Sequence, residues 1–275
     1  MIRAKRETLV CDALAIVFAL IVLFPVFYGF FGAFKSPAEF SAWPPSVLPE
    51  SFSYMENFYR VFAQAPIARY FFNSLAVAML STCVRLLLSV FAAYAFVFYD
   101  FPGHKALFYM MLGTMMLPPD TLVITNYQTV TRMGLLDSYM GMSIVNFVGA
   151  SQMFMLRQHF LTSPKALREA SLVDGCGDLR FVFFILMPAA YPLMVMLFLQ
   201  SFLAQWNAYL WPLLVTNRSD MRTVQVGISM LTTFESTNYE TILAGVVIVM
   251  APTVLLFLLL RSLATRAMNN GPLLS

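Results

Sequence analysis

The chain has 275 residues, of which 60% are apolar and only 11% are charged, and its mean hydropathy is +0.74. Soluble domains carry about a quarter of charged residues, so the composition excludes a soluble protein and predicts an all-α integral membrane protein. The net charge of +3 indicates no nucleic-acid partner, and the three scattered cysteines indicate neither a disulfide framework nor a metal site.

Long stretches without charged residues predict six transmembrane helices, because a spanning helix needs about 20 mostly apolar residues. In chain order, the stretches are 13–34, 70–99 interrupted by Arg85, 106–119 continued by 121–131, 138–156, 181–217 and 241–260. The first stretch exceeds the apolar core of a secretory signal, so we expect it to be retained. The fifth is too long for one helix, so its beginning is expected to form a membrane-surface helix, with Pro188 opening the span. The chain 1–275 is therefore predicted to be a single transmembrane domain.

The distribution of basic residues sets the predicted orientation. With six spans, both termini and the loops at 100–105 and 157–187 share one side, which carries ten of the Lys and Arg residues against six on the other. Short loops rich in Lys and Arg face the cytoplasm, so both termini and loop 157–187 are predicted to be cytoplasmic. The predicted outside loops are 35–69, 132–138 and 217–240.

The residues that enzyme chemistry requires are missing from the sequence. Only His104 and His159 occur, so no histidine cluster can hold a catalytic metal, and no G-x-x-x-x-G-K-[ST] stretch can cradle a nucleotide phosphate. No G-x-S-x-G segment indicates a nucleophilic serine. We therefore expect no catalytic residue, no metal site and no cofactor in this chain.

A charged island, SPKALREASLVDGCGDLRFVFFILMP, interrupts the apolar sequence on the predicted cytoplasmic side. Ser163 is a favoured N-cap and Pro164 is favoured at the first position of a helix, so a helix is predicted over 165–173. Gly175 is expected to end it, because glycine tolerates the left-handed conformation beyond a helix end. A second short helix is predicted to start at Asp178.

The first of these helices presents a ridge of small side chains. Ala166, Ala170 and Val173 recur at helical spacing, so they make a narrow face that a groove in another protein can accept at close range. The alternative is an amphipathic helix lying on lipid headgroups. That alternative favours bulky Leu, Phe and Trp on the buried face, and alanines with mixed charges fit it less well.

The island also resembles a known motif. Its segment EASLVDGCGDLRFVFFILMP is similar to the EAA loop of ABC importer permeases, whose pattern is Glu-Ala-Ala, three residues, Gly, nine residues, Ile, one residue, Leu-Pro. The matching residues are Glu169, Ala170, Gly175, Ile185 and Pro188, while Ser171 and Met187 replace an Ala and a Leu. The resemblance implies a coupling helix around 163–175, seated in a cleft of an ATPase subunit, with contacts from Ala166, Glu169, Ala170, Val173, Asp174 and Gly175. Glu169 then either pairs with an ATPase arginine or braces the loop.

The resemblance extends over most of the chain. The similar segments are NSLAVAML (73–80), AAYAFVFYDFPGH (92–104), MMLPPDTLVITNY (115–127) and WNAYLWPLL (206–214). They resemble carbohydrate-type importer permeases of the maltose and glycerol-3-phosphate class, and within it the shorter permeases of glycerol-3-phosphate importers. The resemblance implies a bacterial inner-membrane subunit that pairs with a second permease, docks two ATPase subunits carrying ATP and Mg²⁺, and receives its solute from an extracytoplasmic binding protein. Loop 217–240 is similar to the segment that reaches into that binding protein, and the implied solute is a sugar, an oligosaccharide or a glycerol phosphoester.

Two features inside the predicted spans are candidates for the solute pathway. Arg85 lies halfway along the second span, where a charge costs about 2.5–3.5 kcal/mol, so its side chain is expected to face the bundle interior. There it either contacts an anionic solute or pairs with backbone carbonyls or Asp120. Pro118-Pro119 breaks the third span, and it either frames a transport site or forms an ordinary kink with Asp120 capping the next turn.

Neutral amides in the predicted spans suit a polar solute, because amides bind hydroxyl groups and aromatic rings cover C–H faces. The amides predicted to line the pathway are Asn126, Gln152, Gln200 and Asn207. For Tyr209 and Trp211, the aromatic belt at the membrane interface is the favoured interpretation.

Two rival functions remain at this point. A stand-alone secondary carrier needs ion-coupling carboxylates within the spans, and only Asp120 comes near to qualifying. A membrane enzyme needs a catalytic cluster, which the sequence lacks. The favoured hypothesis is a permease subunit of an ATP-driven, binding-protein-dependent importer, forming half of its translocation pathway.

Overall fold

The computed structural model describes residues 2–231 and 238–269, and these residues contain helices and no strand. The α-helices are α1 (Ile2–Gly32), α2 (Pro37–Phe40), α3 (Glu56–Gln64), α4 (Ile67–Phe98), α5 (His104–Thr114), α6 (Val123–Arg132), α7 (Tyr139–Ser143), α8 (Ala150–Leu161), α9 (Lys165–Val173), α10 (Asp178–Phe181), α11 (Met187–Ala189), α12 (Tyr191–Trp206), α13 (Leu210–Val215), α14 (Val224–Leu231) and α15 (Tyr239–Asn269). Short 3-10 helices lie at Pro119–Leu122, Ile144–Asn146 and Ser219–Met221, and a π-helix lies at Val182–Leu186. The predicted all-α fold class is confirmed.

The chain divides into two compact units. One comprises 1–67 and 227–254, and the other comprises 68–226 and 255–275. The sequence-based prediction of one transmembrane domain concerns the chain as a membrane subunit, and it stays a prediction.

In the first unit, a buried asparagine holds the C-terminal end of α1. The Asn57 amide on α3 donates hydrogen bonds to the backbone oxygens of Ala33, at 2.9 Å, and Lys35, at 2.8 Å. Carbonyls at a helix end otherwise have no intrahelical partner, so Asn57 closes α1 and fixes the following loop beside it. Lys35 is itself buried, and it donates to the backbone oxygen of Ser46 and, at 3.1 Å, to its hydroxyl.

The main core of the second unit joins α4, α8 and α12 to the segment that follows α9. Its buried members include Val90 of α4, Leu156 and Phe160 of α8, Phe181 of α10 and Leu197 of α12. Lipid tails are as apolar as these side chains, so within a bilayer dispersion contacts hold such a cluster together. The cluster connects the charged island with the second and fifth predicted spans.

Two helices of the described residues are long and apolar enough to cross a membrane, namely Cys11–Gly32 within α1, and α4. A third crossing results if Asp178–Ala189 and Tyr191–Trp206, which are bent by 84° at their junction, form one broken span. The apolar part of α15, Tyr239–Leu255, is shorter. The third and fourth predicted spans are divided among shorter helices, so the number six stays a prediction.

The third predicted span breaks earlier than its prolines indicate. α5 ends at Thr114, and the N–H groups of Met115, Met116 and Leu117 each donate to the carbonyl three residues earlier. Such bonds wind the last turn more tightly. Proline disfavours the helical conformation in the residue before it, and the helix therefore ends before Pro118 is reached.

The fourth predicted span, 138–156, is not one helix, and the sequence analysis misses its interruption. The 3-10 helix after α7 ends at Asn146, and α8 begins at Ala150. Between them Gly149 is extended, with φ −140° and ψ 99°. The break contains no proline, so Gly149 is its only local sign in the sequence.

Pro188, which is predicted to open the fifth span, lies inside the helical run Asp178–Ala189 and does not begin a helix. The chain bends at Ala190, and α12 carries Pro192 at its start. A proline cannot donate to the carbonyl four residues before it, and its ring clashes with that carbonyl. Pro192 therefore interrupts the helical ladder at Pro188, which places the bend between the two prolines, and α12 begins after it at Tyr191.

Candidate functional site

The helix predicted over 165–173 is present as α9, and a Schellman motif ends it. Gly175 adopts φ +71°, and its N–H donates to the Leu172 oxygen at 3.0 Å. The N–H of Cys176 donates to the Ser171 oxygen at 2.8 Å. These bonds satisfy carbonyls that a helix end leaves without partners, so the left-handed glycine fixes the point at which α9 stops, as predicted.

The start of α9 differs from the prediction. Pro164 precedes the helix in an extended conformation, with ψ 131°, and no side chain caps α9. The N–H of Leu167 donates to the Pro164 oxygen at 3.0 Å. The Pro164 carbonyl thus serves the first turn, and Ser163 lies one residue too early to be the N-cap.

The residues predicted to contact an ATPase are all exposed. They are Ala166, Glu169, Ala170, Val173, Asp174 and Gly175. Val173 is 88% exposed, whereas Ser171, which faces the other way on α9, is buried. The ridge of small side chains is therefore open to a partner, while the opposite face of α9 packs against the chain.

A network centred on Asp178 holds that opposite face. Arg168 of α9 forms an ion pair with Asp178 at the start of α10, and it lies over the Phe181 ring at 4.8 Å. The hydroxyls of Tyr94, at 2.7 Å, and Tyr99 donate to the Asp178 carboxylate. The hydrogen bond to Asp178 raises the pKa of Tyr99. Charge-assisted hydrogen bonds are the stronger ones, so the network fastens α9 and α10 to the end of α4.

Sequence reasoning missed this network. Arg168 and Asp178 are both in the island, but the EAA-like pattern directs attention to Glu169 and Gly175. The available signal is a pair of opposite charges ten residues apart on either side of a glycine turn. The tyrosine partners carry no local signal, because they lie 84 and 79 residues away from Asp178 along the chain.

Arg85 pairs with a backbone carbonyl, which is one of the two expected arrangements. Its Nε donates to the Asn146 oxygen at 2.6 Å, and its Nη2 donates to Asn146 Oδ1 at 3.3 Å. Asn146 ends the helical segment before the break in the fourth span. A guanidinium has five N–H donors. The donors of Arg85 that do not bind Asn146 have no partner among residues with described side chains, which do not include Asp120.

The side chain of Gln152, on α8, lies near Arg85 at the break in the fourth predicted span. Its side chain is buried, its Nε2 donates to Ser201 Oγ on α12 at 2.7 Å, and its Oε1 has no hydrogen-bond partner. A Cβ added at Gly149 would lie 1.9 Å from Gln152 Oε1 and 3.0 Å from Arg85 Cδ. The structure thus brings two predicted pathway residues, Arg85 and Gln152, together at a glycine.

No hydrogen bond or ion pair of the described residues joins the other predicted pathway residues to this place. Asn126 is half-buried on α6, Gln200 is exposed on α12, and Asn207 is exposed just after α12. Asp120 lies in a 3-10 helix, and its side chain is outside the described part of the structure. The pathway role of these four residues stays a prediction.

The predicted outside loop 217–240 begins against α4. The Asn73 amide donates to the backbone oxygens of Asp220, at 2.8 Å, and Arg222, at 2.9 Å. Two bonds from one buried side chain fix the first part of the loop. Residues 232–237, toward its far end, lie outside the described residues.

Known proteins resemble the chain over nearly its whole length, although no family model matches it. The sn-glycerol-3-phosphate transport system permease protein UgpE of Rhizobium meliloti (strain 1021) is 31% identical, with 93% of each chain covered. The protein of the same name from Agrobacterium fabrum is 32% identical over 88% of this chain and 89% of its own. That from Yersinia enterocolitica is 29% identical over 95% of each. The chain belongs to the UgpE family of transport permeases.

A solved structure shares the fold of this UgpE-family chain. It is a bacterial ABC transporter involved in the import of the acidic polysaccharide alginate, with a TM-score of 0.81, 21% sequence identity, and coverage of 94% of this chain and 97% of that one. The family and the fold agree with the resemblance carried by the EAA-like segment. The chain is a permease of a binding-protein-dependent importer, and the stand-alone secondary carrier is set aside.

Proposed function

We propose that this UgpE-family chain is one of two permease subunits that work with two ATPase subunits and an extracytoplasmic binding protein in a bacterial inner membrane. A chain without a nucleotide-binding motif needs ATPase partners, which would hold the ATP and Mg²⁺. The curated relatives, which are named as permeases of a transport system, support this assembly.

The small exposed face of α9 on a braced loop carries this proposal. Ala170 and Val173 project from α9, while Arg168 ties its other side to α10 and α4. When ATP closes the ATPase dimer, the helix moves with the cleft that holds it. The Asp178 network and the core around Phe181 would pass that motion to α4 and α12 as a rigid-body displacement.

Six spans follow if discontinuous helices form the third and fourth of them. α5 with α6 would make the third span, α7 with α8 the fourth, and α15 the sixth. Interrupted helices are tolerated in a bilayer where their free backbone groups face protein or a water-filled cavity. Arg85 already satisfies one such group at the break after Asn146. Both termini and loop 157–187 would then be cytoplasmic.

The proposed solute is glycerol 3-phosphate or a related glycerol phosphoester. The curated relatives have sn-glycerol-3-phosphate in their names, and a basic residue in the middle of α4 suits an anionic solute. The partner binding protein should be stabilised against heat by glycerol phosphates. Stabilisation by amino acids or peptides alone would contradict this solute class.

The docking role is tested with one bulky substitution and a matched control. Ala170→Trp adds a large side chain to the exposed ridge of α9 and should prevent the ATPase subunits from co-purifying with the permease pair. Ala42→Trp makes the same change at an exposed alanine of the predicted outside loop 35–69, and it should leave co-purification unchanged. Equal ATPase recovery with both variants would show that α9 is not the docking element.

A further inference from the structure

We propose that Arg85, the N-terminus of α8 and Gln152 form a binding site for the phosphate group of the solute. This inference rests on the proposed function, because it takes the solute to be a phosphoester. It assigns the anionic group a specific place along the path through this subunit.

The first component is the positive charge of Arg85. Two of its N–H groups bind Asn146, which holds the guanidinium beside the break in the fourth span. No carboxylate with a described side chain forms an ion pair with it. Because a guanidinium offers a planar fork of donors that matches phosphate oxygens, its remaining N–H groups can bind an anion.

The second component is the N-terminus of α8. Gly149 precedes this helix of 12 residues, and no side chain caps it. The first intrahelical bond runs from the Met153 N–H to the Gly149 oxygen at 3.1 Å, so the N–H groups of residues 150–152 lie ahead of the hydrogen-bonded ladder. Such an end carries partial positive charge and binds phosphate groups well. Half-helix N-termini inside membranes serve anionic substrates in the same way.

The third component is a buried amide with an unused polar atom. Gln152 is 5% exposed, and its Oε1 lies over Gly149 without a hydrogen-bond partner. The two ends of a glutamine amide have the same shape and can exchange places. In the structure Nε2 lies 2.7 Å from the Ser201 hydroxyl. When the amide is turned over, its oxygen accepts from that hydroxyl instead, and its NH₂ group points toward Gly149. In that orientation the NH₂ group can donate to a bound phosphate, while the amide oxygen keeps Ser201 as its partner.

Gly149 provides the room that lets the Gln152 side chain lie over the start of α8 beside Arg85. A Cβ at this position would overlap Gln152 Oε1 at 1.9 Å and press on Arg85 Cδ at 3.0 Å. The backbone of Gly149 is in the extended region, which any residue can adopt. Glycine is therefore needed here for room and not for its conformation, because the end of the Gln152 side chain lies directly over this backbone.

The phosphate chemistry of this site is shared by the solute and by lipid headgroups, and the position of Arg85 favours the solute. Arg85 lies within a helix of 32 residues, thirteen residues before Phe98. At 1.5 Å per residue this is about 20 Å from the nearer helix end. The hydrocarbon core is about 30 Å thick, so the site lies at a depth that headgroups do not occupy.

Binding is tested on the purified complex of both permeases and the ATPases in a neutral detergent. The readout is the midpoint of thermal unfolding with glycerol 3-phosphate or with glycerol, at equal ionic strength, because a ligand that binds the folded state raises that midpoint. Glycerol 3-phosphate should raise it and glycerol should not. Arg85→Gln should abolish the shift. Arg132→Gln, at an exposed arginine at the end of α6, should retain it.

A second variant covers the case in which Arg85→Gln fails to assemble. Gln152→Glu keeps the side-chain shape and places a carboxylate next to Arg85, where it competes with the phosphate. The complex should assemble, and the shift caused by glycerol 3-phosphate should be lost. A full shift in either variant would overturn the site. A shift caused by added phosphatidylglycerol and not by glycerol 3-phosphate would make it a lipid site instead.

Uptake into proteoliposomes in the presence of the binding protein keeps the two proposals apart. If the wild-type complex imports glycerol 3-phosphate and Gln152→Glu imports it equally fast, the site is wrong and the proposed function stands. If the wild type imports a neutral sugar and no phosphoester, the proposed solute is wrong, and the site loses the ligand it was assigned.

Discussion

At the scale of single residues, two glycines of the island show whether a position needs glycine for its backbone conformation or for lack of room. A Cβ at Gly175 or at Gly177 would meet nothing within 4 Å. Their backbones differ, with φ +71° at Gly175 and φ −69° at Gly177. Side chains are disfavoured in the left-handed region by about 1–2 kcal/mol, so only Gly175 needs to be a glycine for conformational reasons.

Gly175→Ala is expected to lower the stability of the α9–α10 segment by about 1 kcal/mol. Because the Schellman motif positions the end of α9, the variant should also retain less ATPase on co-purification. Gly177→Ala is the matched control and should behave like the wild type. The measurements are the unfolding midpoint of the purified complex and the recovered ATPase. If both variants lose the same amount, Gly175 serves flexibility and not a fixed turn.

Arg85 shows what sequence reasoning can and cannot supply for one residue. A charge inside a long apolar stretch predicts an inward-facing side chain with a carbonyl or acidic partner, and the structure gives it the Asn146 carbonyl. The identity of that partner was beyond prediction, because it depends on a helix break without a proline. Gln152 was selected only as an amide, and its meeting with Arg85 at Gly149 is a tertiary feature.

At the scale of elements, α9 was predictable and its attachment was not. The end of α9 follows from Gly175, and its body follows from good helix formers, both of which are local signals. The attachment depends on tyrosines 84 and 79 residues from Asp178. Local sequence patterns therefore predict where a helix begins and ends, whereas its attachment to α4 depends on partners that are distant along the chain.

Asp178→Asn tests whether this attachment transmits motion. The change removes the ionised acceptor that holds Arg168, Tyr94 and Tyr99, so the loop should follow the ATPase without moving α4. Solute imported per ATP hydrolysed should fall roughly fivefold, as for the loss of about 1 kcal/mol of coupling, while ATPase recovery stays high. Asp100→Asn, at an exposed aspartate outside the proposed contact face, serves as the charge-matched control. An unchanged ratio in Asp178→Asn would contradict a transmitting role.

At the scale of the whole molecule, composition predicts the membrane class, and charge spacing predicts the number of crossings. The same spacing cannot show whether an apolar stretch is one helix or several. The third and fourth stretches are interrupted near Pro118 and Gly149. At the second break, the freed backbone oxygen of Asn146 accepts a hydrogen bond from Arg85. The prolines at 118 and 119 predict the first break, whereas the break at Gly149 had to come from the structure, because hydropathy carries no information on such partners.

The six-span topology predicts opposite accessibility for two positions. In a background without Cys11, Cys83 and Cys176, Met133→Cys should react with an impermeant maleimide from outside, because Met133 is 54% exposed and lies within the predicted outside loop 132–138. Asp174→Cys should react only after permeabilisation. Protection of position 133 in right-side-out vesicles would mean that the third and fourth stretches do not cross the membrane.

The uncovered spanning part of α1 has a consequence for the biogenesis of the subunit. None of the apolar window Cys11–Gly32 is buried by the described residues, which in water would drive aggregation. In a bilayer, lipid tails solvate such a helix without penalty, and helices associate through packing and not through release of water. The newly inserted chain can therefore remain monomeric and dissolved in the bilayer, without aggregating, until it assembles with a partner subunit.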